Sequence, residues 1–257
     1  MTDSRTLDLT ALRAVVAEQP HPLLFATVSG AHLYGFASRD SDLDLRGVHV
    51  LPPEELLGLR LGPETLDRDW VRDGVEMDLV THDLGKFVRL LLKRNGYVLE
   101  QLLSPLVVTT TTAHDELVAL APACLTSHHA HHYLGFARTQ RALAARTGEL
   151  KPILYTVRVL LTGIHLMRSG EVQPHLPTLL NLVPEAPAWV PDAIARKEEA
   201  EHRQTEDLPG LDLLDDEIVG LSVLLEHERD RSALPETPSA AHALHDLVLR
   251  VRLGRLG

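Results

Sequence analysis

The chain has 257 residues, 44% of them apolar, a formal net charge of −11 and a single cysteine, Cys124. That is enough for one large or two modest domains with real cores, while one thiol excludes an intrachain disulfide and any site built from several cysteines, and the acidic balance argues against general affinity for nucleic acid. The N-terminal stretch mixes both signs of charge and no apolar run approaches the length of a membrane-spanning helix, so a protein of the reducing cytoplasm, with no membrane partner, is expected.

Residues 8–18 read as a first helix closed by Pro20 and Pro22, and Leu23 to Val28 as a first strand. A small-residue turn, Ser29-Gly30, and the Tyr34-Gly35 pair follow, and a second strand runs from Asp42 to Val50. Pro52 to Leu57 makes a short helical turn and Val75 to Thr81 a third strand. Leu84 to Lys93 is a helix burying Leu84, Phe87, Val88, Leu91 and Leu92, and Pro105 to Thr109 is a last short strand. These elements form a small mixed α/β unit over residues 1–112. Over residues 113–257 the periodicity is helical, with helices expected at 113–120, 128–146, 151–168, 191–204, 212–231 and 240–253. The prolines within 174–177 and 184–191 break helices rather than separate domains. The expected fold class is α+β, a small mixed-sheet domain followed by an all-helical one.

Side chains two apart on a strand share a face, so Asp42 and Asp44 point together while Leu43 and Leu45 enter the core. Carboxylates side by side repel unless a cation sits between them. Hard oxygen donors suit Mg²⁺, which takes phosphate oxygens among its remaining ligands. Just after a small-residue turn, this arrangement can hold metal ions and a triphosphate. Two metals need a third carboxylate, and Asp78 supplies it if its strand lies beside the one carrying Asp42 and Asp44; Glu76, on the same face one pleat earlier, is the competing choice. A calcium loop at Asp40, Asp42 and Asp44 fails, because Leu45 and Leu51 stand where its glycine and bidentate glutamate belong.

Between Arg138 and Arg168 the chain carries Arg138, Arg141, Arg146, Lys151, Arg158 and Arg168 against Glu149 alone. This basic middle can line a phosphate site, and a solvated helix face accounts equally well for any single member. His128, His129, His131 and His132 have the spacings of histidines that share an ion, yet four near-consecutive residues cannot all face one way. Packing or a phosphate contact suits His132 better. Asp83 is placed to cap the helix that follows it.

Three stretches resemble the polymerase-β-type nucleotidyltransferase superfamily and, within it, the YcgL/RlaP-like branch, some of whose members are RNA-ligase-associated. The first is Ser29 to Gly47, similar to a Ser-Gly-Ser turn, an aromatic-Gly pair and an Asp-Ser-Asp-x-Asp-x-Arg strand. The second runs from Asp78 to Val108, with Asp83-Leu84, Lys86, Leu90 to Lys93, Asn95, Leu99-Glu100 and Ser104-Pro105. The third is His132 to Ala137 with Lys151, Tyr155, Arg158 and Leu160-Leu161. Together they span roughly residues 22 to 170. One departure is visible: Ala31 replaces the second turn serine, removing a hydroxyl expected on a triphosphate oxygen, and backbone N–H groups compensate in part.

The resemblance implies a palm-like nucleotidyltransferase domain over 1–112 and a helical nucleotide- or substrate-binding domain over 113–257. It implies transfer of an NMP from an NTP to a hydroxyl, with release of pyrophosphate and with Mg²⁺ or Mn²⁺ as cofactor. Asp42 and Asp44 would bridge two ions about 3.5 to 4 Å apart, Asp78 would complete the nucleophile-activating site, and Ser29-Gly30 would hold the β- and γ-phosphates. Arg46 either contributes to nucleotide binding or pairs with a carboxylate of the site. Lys151 would reach a phosphate and Tyr155 the base or sugar, against the reading that Tyr155 is core and Lys151 an ordinary helix start before Pro152. The favoured acceptor is an RNA end, in RNA processing or repair. AMP transfer to a protein or small molecule, and a non-catalytic nucleotide- or RNA-binding module, are the alternatives. Neither base specificity nor oligomeric state has a signature in the sequence.

Overall fold

The structure, a computed structural model, describes residues 9–38, 40–199 and 211–255. Along the chain α1 (Leu9–Ala17) leads to β1 (Leu23–Val28), α2 (Gly30–Tyr34), β2 (Leu43–His49) and α3 (Pro53–Leu57). A hairpin of β3 (Thr65–Arg72) and β4 (Val75–Asp83) follows, then α4 (Leu84–Leu91), α5 (Gly96–Leu102), β5 (Val107–Thr109), α6 (Thr112–Leu120) and a 3₁₀ turn at Ala121–Cys124. The rest is helical: α7 (His129–Thr147), α8 (Leu150–Ser169), α9 (Leu176–Leu182), α10 (Val190–Glu199), α11 (Leu211–Arg231) and α12 (Ala241–Arg252). The fold class is α+β, as the sequence pattern implies. Asp8 and the expected helical residues 200–204 lie outside the described residues, as does Arg39.

Two compact units share the chain discontinuously. One draws on Met1–Gly30, Asp42–Cys124 and Thr237–Gly257, the other on Ala31–Ser41 and Leu125–Glu236. The first holds a mixed sheet in the order β3-β4-β2-β1-β5, with β2 and β4 parallel and the other neighbours antiparallel. Leu12, Val15 and Val16 of α1 pack on one face against Ala26, Val28, Leu43, Leu45, Leu79 and Val108. On the other, Phe25 meets Phe87 of α4 edge-on and stacks on His114 of α6 at 4.2 Å. Asp83 caps α4 as expected, its Oδ1 accepting from the Gly85 N–H at 2.9 Å, and its carboxylate is also gripped by Arg252 of α12 at 2.6 Å. A second ion pair, Arg250 with Glu116, ties α12 to α6.

Several boundaries differ from the sequence reading for identifiable reasons. Strand β2 starts at Leu43, so Asp42 stands just ahead of it. Strand β3 is not expected at all, because its central residues Asp67, Arg68 and Asp69 are exposed and hide the alternation. Helices α5 and α9 are also additions; α9 begins with Pro177 in its first turn, where a missing N–H costs no hydrogen bond, so this proline starts a helix rather than breaking one. Helix α8 corrects the expectation about membrane-length runs: by length and composition its 20 residues suffice to cross a membrane, but 89% of its apolar window is buried inside the protein, as in a core helix.

Candidate active site and family

The parallel pairing of β2 and β4 sets Asp44 directly opposite Asp78, so both carboxylates leave the same face of adjacent strands. Arg46, two residues along that face from Asp44, reaches back between them. Its Nη2 donates to Asp44 Oδ1 at 2.7 Å and to Asp78 Oδ2 at 2.6 Å. Its Nη1 donates to the carbonyls of Leu45 and Asp78, at 2.8 and 3.1 Å, and its Nε to the Tyr97 hydroxyl of α5 at 3.2 Å. The guanidinium is buried. Burial opposes its charge, but Tyr97, Asp44 and Asp78 outweigh that and hold it more firmly protonated than an ordinary arginine. Arg46 thus pairs with both carboxylates of the site.

The small-residue turn is clamped onto this pair. The Ser29 N–H donates to the Asp44 carbonyl at 2.8 Å, and Gly30, at φ +59°, lies so close to the Asp44 carboxylate that a β-carbon there would come within 1.7 Å of Oδ2. Only glycine satisfies both the left-handed backbone and that approach. The Ser29 Oγ is fully buried and makes no hydrogen bond, and Asp78 Oδ1 is likewise buried and unpartnered. Buried polar atoms without partners are uncommon and call for an explanation, an unseen ion or ligand among them.

Asp42 is exposed, one residue ahead of β2. Among the described residues, the acidic oxygens that gather within reach of a single ion, all within 4.8 Å of one another, belong to Asp67, Asp69 and Asp78. Asp69 faces Asp78 across the β3–β4 ladder. Neither Asp67 nor Asp69 is a candidate in the sequence reading, which lacks their strand; the Asp73-Gly74 pair ahead of Val75 is the hairpin signal that locates it. Glu76 is opposite Val71, two residues back along β4.

Lys151 and Tyr155 stand one turn apart on α8, both half-buried, in the helical unit. Tyr155 meets Tyr34 and Phe36 edge-on, with centroids 5.5 and 5.3 Å away, and stacks loosely on Phe136. Arg158, almost wholly buried, lies over the Tyr34 ring at 3.6 Å. The basic middle is partly consumed by ion pairs, Arg141 with Asp215 and Arg168 with Glu185 and Glu228. Its histidines divide their roles: His129 Nδ1 is engaged by Thr126, His131 stacks on His128, and His132 meets Tyr133 edge-on. They form no three-ligand cluster among the described residues. Burial, reinforced by Arg158, lowers the pKa of His132.

The mixed sheet, with Asp44 and Asp78 in register beside a Ser-Gly turn, matches the architecture that the resemblance to polymerase-β-type nucleotidyltransferases implies. The chain belongs to the RlaP family, described as the RNA repair pathway DNA polymerase beta family, whose model matches residues 5–250. It is 32% identical over 150 residues to MJ0002 of Methanocaldococcus jannaschii, described as an uncharacterized protein, across 58% of this chain and 61% of that relative. It is 27% identical over 194 residues to the similarly described YcgL of Bacillus subtilis, across 72% of this chain and 73% of the relative. A nucleotidyltransferase-like protein of Exiguobacterium sibiricum, known from a crystal structure, aligns with 97% of this chain and 81% of its own at 15% identity and a TM-score of 0.35.

Proposed function

We propose that this protein is a metal-dependent nucleotidyltransferase that moves an NMP from an NTP to a hydroxyl and releases pyrophosphate. The observation that carries the reading is the registered Asp44–Asp78 pair with Gly30 pressed against one carboxylate. The donors fit Mg²⁺ or Mn²⁺: all are hard carboxylate oxygens, and Asp78 keeps one buried oxygen unpartnered. Asp42, Asp44 and Asp78 would hold the ions, with Asp67 and Asp69 supplying further oxygens at Asp78. Bound there, divalent ions would neutralise phosphate charge and ease deprotonation of the acceptor hydroxyl.

The chain's own groups do the positioning. The buried Ser29 Oγ offers an O–H to a phosphate oxygen, and Gly30 lets backbone come close to the β- and γ-phosphates. Arg46 orients the two aspartates and spreads its charge over the same region. Lys151 and Tyr155 are assigned to a phosphate and to the base or sugar. An RNA end is the favoured acceptor, supported by the family's description; transfer of AMP to a protein or a small molecule is the alternative within the same chemistry.

A second reading, a nucleotide- or RNA-binding module without turnover, draws on Arg46. Crowded carboxylates demand a cation, and here a guanidinium already supplies one, so the acidic pair alone does not require metal chemistry. The absence of the second turn hydroxyl at Ala31 points the same way. Incubation with α-labelled NTPs, Mg²⁺ and RNA of defined ends, protein or small hydroxyl compounds separates these readings. Label entering an acceptor with pyrophosphate release, lost in Asp44→Asn, is expected. NTP binding without pyrophosphate release favours the module, and full metal-dependent transfer by Asp44→Asn overturns the assignment.

A further inference from the structure

From Leu84 to Leu99 the chain carries Lys86, Arg89, Lys93 and Arg94 and no acidic residue, in a protein whose 36 aspartates and glutamates outnumber its 25 lysines and arginines. All four belong to the sheet unit, on α4 and the turn that leads into α5. Their charges are engaged unequally. Arg89 pairs with Glu64 in an exposed bridge, and Lys86 donates to the Thr65 hydroxyl, a neutral partner that leaves its charge uncompensated. The positive field reaches His82, whose pKa is lowered by burial and then by Lys86, His49 and Arg46. Lys93 and Arg94 are exposed, and neither side chain has a hydrogen bond or ion pair among the described residues.

Arg94 also holds a φ of +63°, a left-handed backbone that glycine adopts freely and a residue with a β-carbon adopts at a cost. Strained residues of this kind gather where ligands are held. The macrodipole of α4 favours a cation near this end, but Arg89 already stands in its last turn. What lies alongside supplies a stronger reason. Three residues on from Arg94, at most about 11 Å of chain, the Tyr97 hydroxyl accepts from Arg46, which holds Asp44 and Asp78. Two unpaired cations therefore flank the carboxylate pair within the unit that bears it. A hydroxyl on a protein or small molecule needs no such neighbours. A nucleic-acid strand does, because every nucleotide brings a phosphate that Lys and Arg must neutralise, here against an acidic protein.

We propose that Lys93 and Arg94 bind two backbone phosphates of a single-stranded RNA whose terminal hydroxyl is the acceptor at Asp44 and Asp78. The proposal rests on the transferase reading for calling that strand the acceptor. Each phosphate neutralised on a single strand contributes about 0.7 to the slope of log affinity against log salt, so the pair accounts for about 1.4.

The test titrates the full chain against a short labelled single-stranded RNA by fluorescence anisotropy, at about 50 to 200 mM salt, for the parent, Lys93→Gln, Arg94→Gly, their double variant and Lys93→Arg, with NTP affinity and thermal melts alongside. The double variant is expected to bind RNA about tenfold or more weakly, with a salt slope shallower by about 1.4 and NTP affinity unchanged. Arg94→Gly should melt no lower than the parent, because glycine relieves the left-handed backbone; a residue kept for structure alone would not lose RNA affinity in that variant. Lys93→Arg keeps the charge and should bind as the parent does. An unchanged slope in the double variant, a loss of NTP affinity as large as that for RNA, or a parent that binds no RNA overturns the proposal and leaves the transferase reading standing. Polyglutamate displacing the label as readily as unlabelled RNA would make the turn a site for acidic peptides and overturn it too. Pyrophosphate release by the parent judges the transferase reading separately: none with any acceptor overturns that reading, and the RNA's standing as acceptor with it.

Discussion

Gly30 and Arg46 hold the two aspartates from different sides, and each makes a separate demand. At Gly30 any side chain must adopt a left-handed backbone, costing about 1–3 kcal/mol, and its β-carbon would displace the Asp44 carboxylate. Gly30→Ala is therefore expected to lower the melting temperature by only a few degrees while removing most transfer activity. Parallel thermal melts and pyrophosphate assays check this, and retained turnover would mean Asp44 need not sit where it does. Arg46→Met leaves Asp44 and Asp78 opposed with no cation between them. Breaking a buried pair costs about 3–5 kcal/mol. The lower end applies here, since the two carboxylates keep 25% and 31% of their side-chain exposure. Millimolar Mg²⁺ should restore part of that loss if the carboxylates can take a metal in place of the guanidinium. Urea unfolding with and without Mg²⁺ reads it directly, and a variant that Mg²⁺ does not stabilise would count against metal binding at this pair.

Elements were legible in proportion to how one-sided their burial is. β1, β2, α4, α7 and α8 carry plain periodicities because each has a buried face or is buried throughout, and the two-residue repeat made Asp44 readable on β2 and Asp78 on β4. Asp67 and Asp69 were not. Strand β3 sits at the sheet edge, so its exposed charges obscured the alternation; only its turn betrays it. There Asp73 and Gly74 both take positive φ, 53° and 78°, the two-residue hairpin geometry that matches strand twist. Gly74→Val puts a β-branched residue in that conformation, at an expected cost of about 1–3 kcal/mol. If β3 delivers oxygens to a metal at Asp78, the same variant should also bind Mn²⁺ less well after allowance for lost stability. Titration of Mn²⁺ on the folded fraction tests this, and unchanged affinity would remove Asp67 and Asp69 from the site.

For the whole molecule, long-range ion pairs and buried histidines decide what no segment reveals. The C-terminal helix α12 belongs with the sheet through Arg252 on Asp83 and Arg250 on Glu116, although the chain between α6 and α12 forms most of the other unit. Both units also contain histidines whose pKa is lowered, with burial the leading cause in each: His49, His82 and His114 in the first, His132, His165 and His175 in the second. For His82, burial and then Lys86, His49 and Arg46 push it from 6.5 to about 4. A histidine held neutral by folding takes up its proton more readily in the unfolded chain, so stability is fully present above pH 6.5 and declines as pH falls toward the folded-state value. Net charge acts in the opposite sense. The isoelectric point is near 5.7, so acidification from neutral pH toward it relieves the self-repulsion of a chain carrying −11 at pH 7. Six depressed histidines acting at short range should outweigh a diffuse surface charge that salt screens. The melting temperature is accordingly expected to fall steadily between pH 6.5 and 5, in moderate salt, even as the chain passes its isoelectric point. His82→Asn, which removes the group with the largest depression, should make the slope shallower. A melting temperature that holds or rises across that interval would show that the net charge wins and that these histidines are protonated at little cost in the folded protein.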